Sequence, residues 1–155
     1  MSENPTGTRH LHIDKHSPSA YKALIGVATA VSTLAEESGL PRSLVELVNV
    51  RVSQLNGCAS CLDVHHRRAD DAGVSAKQLA TVSVWRNTEL FDDREQAALR
   101  LAEITTTLPD YDTAEREYAR AREVLGDDEL SAVIWVATTI NAFNRVSILS
   151  GHTVR

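Results

Sequence analysis

Apolar residues recur along this chain at helical spacing almost from end to end. Between Pro18 and Gly39, the stretch SAYKALIGVATAVSTLAEESG carries apolar side chains at 24, 27, 28, 31, 34 and 35. That is the i, i+3, i+4, i+7 stripe of an amphipathic helix, with Gly39 placed to stop it in a left-handed turn. LPRSLVELVNVRVSQLNG predicts a second helix over about 44–55, ending at Asn56-Gly57. A third runs from about Cys58 to Ala72, with Gly73 behind it. Ser75 and Gln78 have capping-box spacing ahead of a short helix, and Asp92 with Glu95 and Asp112 with Glu115 repeat it ahead of two more. The last helix, from about Asp128 to Ser150, is the most apolar and belongs at the centre of the fold or against another subunit.

The β-branched residues fall on helical spacing rather than alternation, so strands are not expected and the fold class is all-α. The four prolines stand at 5, 18, 41 and 109, and three of them mark segment boundaries. No repeat or linker divides the chain. The expected organisation is an extended N-terminal arm over residues 1–16 and a single helical domain over 17–155.

Composition narrows the partners. The chain has 155 residues, 43% of them apolar, which suits one domain with a core, and a net charge of −5. That balance gives no electrostatic case for nucleic acid or an anionic membrane. No uninterrupted apolar run approaches the roughly 20 residues of a membrane span, and the first residues lack the pattern of a signal peptide. The expected compartment is the cytoplasm, where thiols are kept reduced and a close cysteine pair points to catalysis, redox sensing or metal rather than a static bridge.

Both cysteines of the chain lie in one stretch, NGCASCLDVHH, residues 56–66. On a helix Cys58, Cys61 and His65 share a face. Gly57 ends the preceding helix, so Cys58 lies at a helix N-terminus, where unpaired N–H groups and the helix dipole favour a thiolate. His65 is one turn from Cys61 and two from Cys58, and so couples more closely to Cys61. Glu46 joins them if the two helices flanking Asn56-Gly57 pack as an antiparallel hairpin. At about 1.5 Å per residue, Glu46 lies roughly 15 Å before the turn and His65 roughly 12 Å after it, about the same level. A carboxylate there can orient the ring and raise its basicity.

The set Glu46, Cys58-x-x-Cys61 and His65, in ELVNVRVSQLNGCASCLDVHH, resembles the alkyl hydroperoxidase D (AhpD)-like family of the carboxymuconolactone decarboxylase superfamily. The resemblance extends to WRNTELFDDREQAALRLAEITT and NAFNR. It implies a helical thiol peroxidase that assembles as a trimer or hexamer, acts on hydrogen peroxide or organic hydroperoxides, and is re-reduced by an unidentified dithiol or thioredoxin-like donor. It implies that peroxide attacks Cys61, that Cys58 resolves the sulfenic acid to a disulfide, and that Glu46 and His65 relay the proton, with no cofactor or metal. One position departs from the best-known peroxidase members, which carry a further histidine just before the second cysteine. Here that residue is Ser60, a poorer proton relay. Decarboxylase members lack the cysteine pair.

Other readings remain open beside this one. The pair also suits a general dithiol–disulfide exchanger or redox sensor, or a non-enzymatic helical oligomer in which it is inert or forms half of a zinc site, although zinc wants four ligands, the near candidates His65 and His66 project about 100° apart, and His10 and His12 reach the site only if the arm folds back. Haem attachment needs a histidine where Leu62 stands. Ser43-x-x-Glu46 has capping-box spacing, which offers Glu46 a purely structural role. Asp63 reads as a dipole contact, His66 as a surface histidine off the cysteine face, and His10, His12, His16 and His152 as surface histidines with no partner pattern in the sequence. Asn141, Asn144 and Arg145 read as hydrogen-bonding between helices or subunits, and Trp85 and Trp135 as core or interface.

Overall fold

A computed structural model gives the structure of the chain, describing residues 6–155. Among these residues there is no strand. After a single turn, α1 (Ile13–His16), come α2 (Pro18–Glu37), α3 (Arg42–Asn56) and α4 (Ala59–Asp71). A short α5 (Ala76–Thr81) runs into a 3-10 segment (Val82–Asn87), followed by α6 (Asp93–Thr107), α7 (Tyr111–Arg122) and α8 (Asp127–Leu149). The all-α expectation holds. The first five residues of the expected arm lie outside the described residues, and within the arm Ile13–His16 closes into a helical turn rather than staying extended.

α3 is central because it is apolar on two sides. Leu44, Val48 and Val52 join Val31, Leu101, Val133 and Ala137 in one core. Leu47 and Val50 join Ala69, Val82, Trp85 and Leu99 in a second. Burying each such side chain stabilises the fold by about 1.5–3 kcal/mol, which fixes α3 between the layers. α8 is long and apolar enough by composition to cross a membrane, but Val133, Val136, Ala137 and Ile140 are buried in the first core. Beside the second core, Glu103 accepts hydrogen bonds from Arg51, Trp85 and Arg86 at 2.6–2.9 Å, and Glu117 from Arg86 and Arg100.

The caps follow the sequence with one exception. Ser75–Gln78 and Asp92–Glu95 form reciprocal capping boxes. Before α7 the cap is Asp110, whose carboxylate accepts from Thr113 N at 3.0 Å, so Asp112 lies inside the first turn. The reason is the approach: α6 ends with Leu108 at φ 45°, and Pro109 cannot continue a helix, so the next residue is extended and starts the new one.

α3 and α4 form the expected antiparallel hairpin, and its turn is a Schellman motif. Gly57 takes φ 68°, Cys58 N donates to Ser53 O at 3.0 Å and Gly57 N to Gln54 O at 3.2 Å. The same motif ends α8. Gly151 takes φ 68°, and His152 N donates to Ser147 O at 3.1 Å. One motif thus sets Cys58 at the head of α4, and the other folds His152 back along α8.

Candidate active site

Cys58 is the N-cap of α4, with extended backbone at φ −85°, and its Sγ accepts the Cys61 N–H at 3.4 Å. The two sulfurs are joined as a disulfide, with Cα atoms 5.3 Å apart, inside the range such a bond spans. Cys58 is 1% exposed and Cys61 9%. Cys61 lines a cavity of about 730 Å³ bounded by α2, α3, α4 and α8. Glu46 and His65 line it too, opposite apolar side chains that include Val31, Ile140 and Phe143.

Glu46 and His65 meet across the hairpin, Oε2 to Nδ1 at 2.7 Å, with both side chains largely buried. Asn49 Nδ2 lies 3.4 Å from the same carboxylate oxygen. Glu46 is not a cap, because α3 begins at Arg42 with Pro41 as N-cap and no side-chain cap bond. With Nδ1–H donated to the carboxylate, the neutral ring carries its lone pair on Nε2. Cavity, thiol, imidazole and carboxylate are the parts that nucleophilic and acid–base chemistry need.

A second polar string leaves the other cysteine. Ser60 Oγ lies 3.8 Å from Cys58 Sγ and 2.5 Å from Ser147 Oγ. Ser147 Oγ lies 3.3 Å from His152 Nδ1, and His152 Nε2 lies 3.4 Å from Asp14 Oδ1. The reading of His10, His12 and His152 as surface histidines with no partner pattern is therefore corrected. The rings of His12 and His152 meet edge to face at 5.3 Å, and His152 lines the cavity. The signal in the sequence was Gly151, a helix stop that turns the next residue back.

The remaining polar residues are structural. Asn56 Nδ2 donates to Asn141 Oδ1 at 2.8 Å and Asn144 Oδ1 at 2.9 Å, and Asn144 Nδ2 donates to Ser53 Oγ. These bonds pin the end of α3 to α8, the interhelix role expected of Asn141 and Asn144, and Arg145 donates within its own helix to Asn141. Asp63 pairs with Arg67 at 2.8 Å on the surface rather than serving the dipole. His16 and His66 are exposed, and His10 donates to Leu149 O. Trp85 is buried and Trp135 half exposed. Among the described residues, neither cysteine belongs to a cluster of metal-ligating side chains.

The family model for carboxymuconolactone decarboxylases matches residues 18–103. The uncharacterised protein YdfG of Bacillus subtilis is 32% identical over 117 residues, 76% of this chain and 80% of YdfG. The uncharacterised YnjA of Escherichia coli is 32% identical over 63% of this chain and 55% of its own. The alkyl hydroperoxide reductase AhpD of a Bradyrhizobium species is 42% identical over 43 residues, 28% of this chain and 24% of that protein. Among solved structures, a protein of unknown function from Agrobacterium tumefaciens, named as a candidate AhpD antioxidant-defence protein, superposes with a TM-score of 0.84 and 25% identity over 96% of this chain and 99% of that one.

Proposed function

The chain belongs to the carboxymuconolactone decarboxylase family, in its AhpD-like branch, and on that premise we propose that it is a thiol-dependent peroxidase for hydrogen peroxide or organic hydroperoxides. One observation carries the reading: a redox-capable cysteine pair whose Cys61 lines a cavity shared with a hydrogen-bonded Glu46–His65 couple. The Cys61 thiolate attacks one peroxide oxygen, forming an S–O bond and breaking O–O. Nε2 of His65 takes the Cys61 thiol proton beforehand and hands it to the departing alkoxide or hydroxide, and Glu46 holds Nδ1–H so that Nε2 is the free nitrogen. Cys58 then attacks the sulfenic sulfur, forming the disulfide, and hydroxide leaves as water with a proton. A dithiol or thioredoxin-like donor returns two electrons. The resolving role suits Cys58, which is 1% exposed and does not line the cavity, whereas Cys61 does.

Ser60 favours a second reading, a dithiol–disulfide exchanger, because the residue beside Cys61 adds no imidazole to drive peroxide cleavage. Thiol counting after one equivalent of peroxide separates the two. Fast loss of both thiols supports the peroxidase; slow loss with fast exchange against a dithiol supports the exchanger.

A further inference from the structure

We propose that Asp14, His152, Ser147 and Ser60 form a proton relay dedicated to Cys58, so that each sulfur has its own carboxylate–imidazole couple. Glu46–His65 serves Cys61, and Asp14–His152 serves Cys58 through two hydroxyls. The inference rests on the reading that the pair cycles between dithiol and disulfide, and does not require peroxide as the oxidant.

Burial creates the need. Cys58 is 1% exposed, so a proton reaching or leaving its sulfur needs an internal route. Hydrogen-bonding contacts supply one as far as the imidazole, 3.8 Å from Sγ to Ser60, 2.5 Å to Ser147 and 3.3 Å to His152, and beyond it the buried Asp14 Oδ1, which has no hydrogen-bond partner, lies 3.4 Å from Nε2 as an ionic neighbour. Each hydroxyl donates one hydrogen bond and accepts others, so the string can point either way. With His152 doubly protonated against the Asp14 carboxylate, every O–H and N–H points toward the sulfur. With His152 neutral, its Nδ1 accepts from Ser147 and the string points away.

The parts are held in register independently of the sulfurs. The Schellman turn at Gly151 ties the His152 backbone to Ser147. The arm that carries Asp14 is docked by Ile13 N donating to Ser150 Oγ at 3.1 Å and by His10 Nδ1 donating to Leu149 O at 2.8 Å. The titratable groups around His152 are Asp14 and His12 on the arm, and Glu46, His65 and Arg68 on the walls of the cavity it lines.

The step is clearest in reduction. A donor thiolate attacks the Cys61 sulfur from the cavity that Cys61 lines, forming a mixed disulfide and breaking the Cys58–Cys61 bond. Cys58 leaves with the electron pair as a thiolate and takes the Ser60 proton, which Ser147 and then His152 replace. The donor's second thiolate releases Cys61 and departs as its own cyclic disulfide. Two electrons pass from donor to protein. Proton supply to the leaving sulfur speeds such exchange, because a better leaving thiol leaves faster.

The test is stopped-flow reduction of the disulfide protein by dithiothreitol across pH, in buffer with a chelator. Ser147→Ala and His152→Asn each slow the step by about 10²-fold, the low side of what a positioned acid–base group contributes. The double variant is no slower than either single one, and the pH step expected of the wild type is absent from all three variants. Ser60→Ala, at a half-buried position, makes the same cut if Ser147→Ala folds poorly, and the exposed His66→Ala matches the wild type. Rates within about twofold of the wild type overturn the proposal, as does slowing with the pH step intact, which marks a packing role. A wild type inert to peroxide would sink the peroxidase reading and leave this measurement unaffected.

Discussion

Glu46 and His65, nineteen residues apart, place a carboxylate oxygen 2.7 Å from an imidazole nitrogen across a helix hairpin. Neither side chain reaches the other along its own helix. The contact exists because Gly57 reverses the chain between them.

The first expectation concerns that couple. His65→Asn and Glu46→Gln slow peroxide oxidation of Cys61 by about 10²-fold, the range of a positioned acid–base group, while both thiols remain titratable. Stopped-flow oxidation of each variant checks it. Wild-type rates in both would remove the couple from the reaction.

Gly57→Ala destabilises the protein by about 1–2 kcal/mol, because the left-handed backbone at φ 68° disfavours any side chain. No heavy atom lies within 4 Å of an added Cβ, so the cost is conformational rather than a clash. Urea unfolding measures it, and an unchanged midpoint contradicts it.

Acid stability follows from Glu103 and Glu117. Burial pulls both carboxyl groups upward, but hydrogen bonds from Arg86, Trp85 and Arg51 to Glu103, and from Arg100 and Arg86 to Glu117, outweigh it and hold both below the ordinary glutamate value. A carboxylate held low stabilises the fold at neutral pH, and that stability is lost as pH falls through and below the ordinary glutamate range. Glu95, raised by burial, has the opposite sign. Glu103→Gln lowers the urea midpoint at about pH 7 more than at about pH 4. An equal loss at both would show that its charge does not matter.

The chain is expected to assemble as a homo-oligomer, a trimer or hexamer. Ile25 and Val27 on α2 and Trp135 on α8 are 40–49% exposed, a cost that subunit contacts would relieve. Sedimentation at micromolar concentration tests it, and a stable monomer counts against it.

Much of this was legible in the chain. The helical stripes gave the elements, and the Asn56-Gly57 break gave the hairpin, from which Glu46 and His65 followed by counting rise from the turn. Local competition hid the α7 cap, because Asp110–Thr113 and Asp112–Glu115 both offer an acceptor three residues ahead of a donor, and only the end of α6 at Leu108 decides between them. His152 was hidden more deeply. Ser147 meets it through the local turn at Gly151, but Asp14 does so only after the arm has folded back on α8, a contact between chain ends that no local pattern carries.

The most direct test of the account is mass spectrometry of Cys61→Ser and Cys58→Ser after limited peroxide. Cys58→Ser should leave a Cys61 that reacts once and is trapped as sulfenic or sulfinic acid, because its resolving thiol is gone. Cys61→Ser should leave the buried Cys58 unoxidised. The opposite pattern would reverse the roles, and oxidation of neither cysteine faster than a free thiol would contradict the peroxidase.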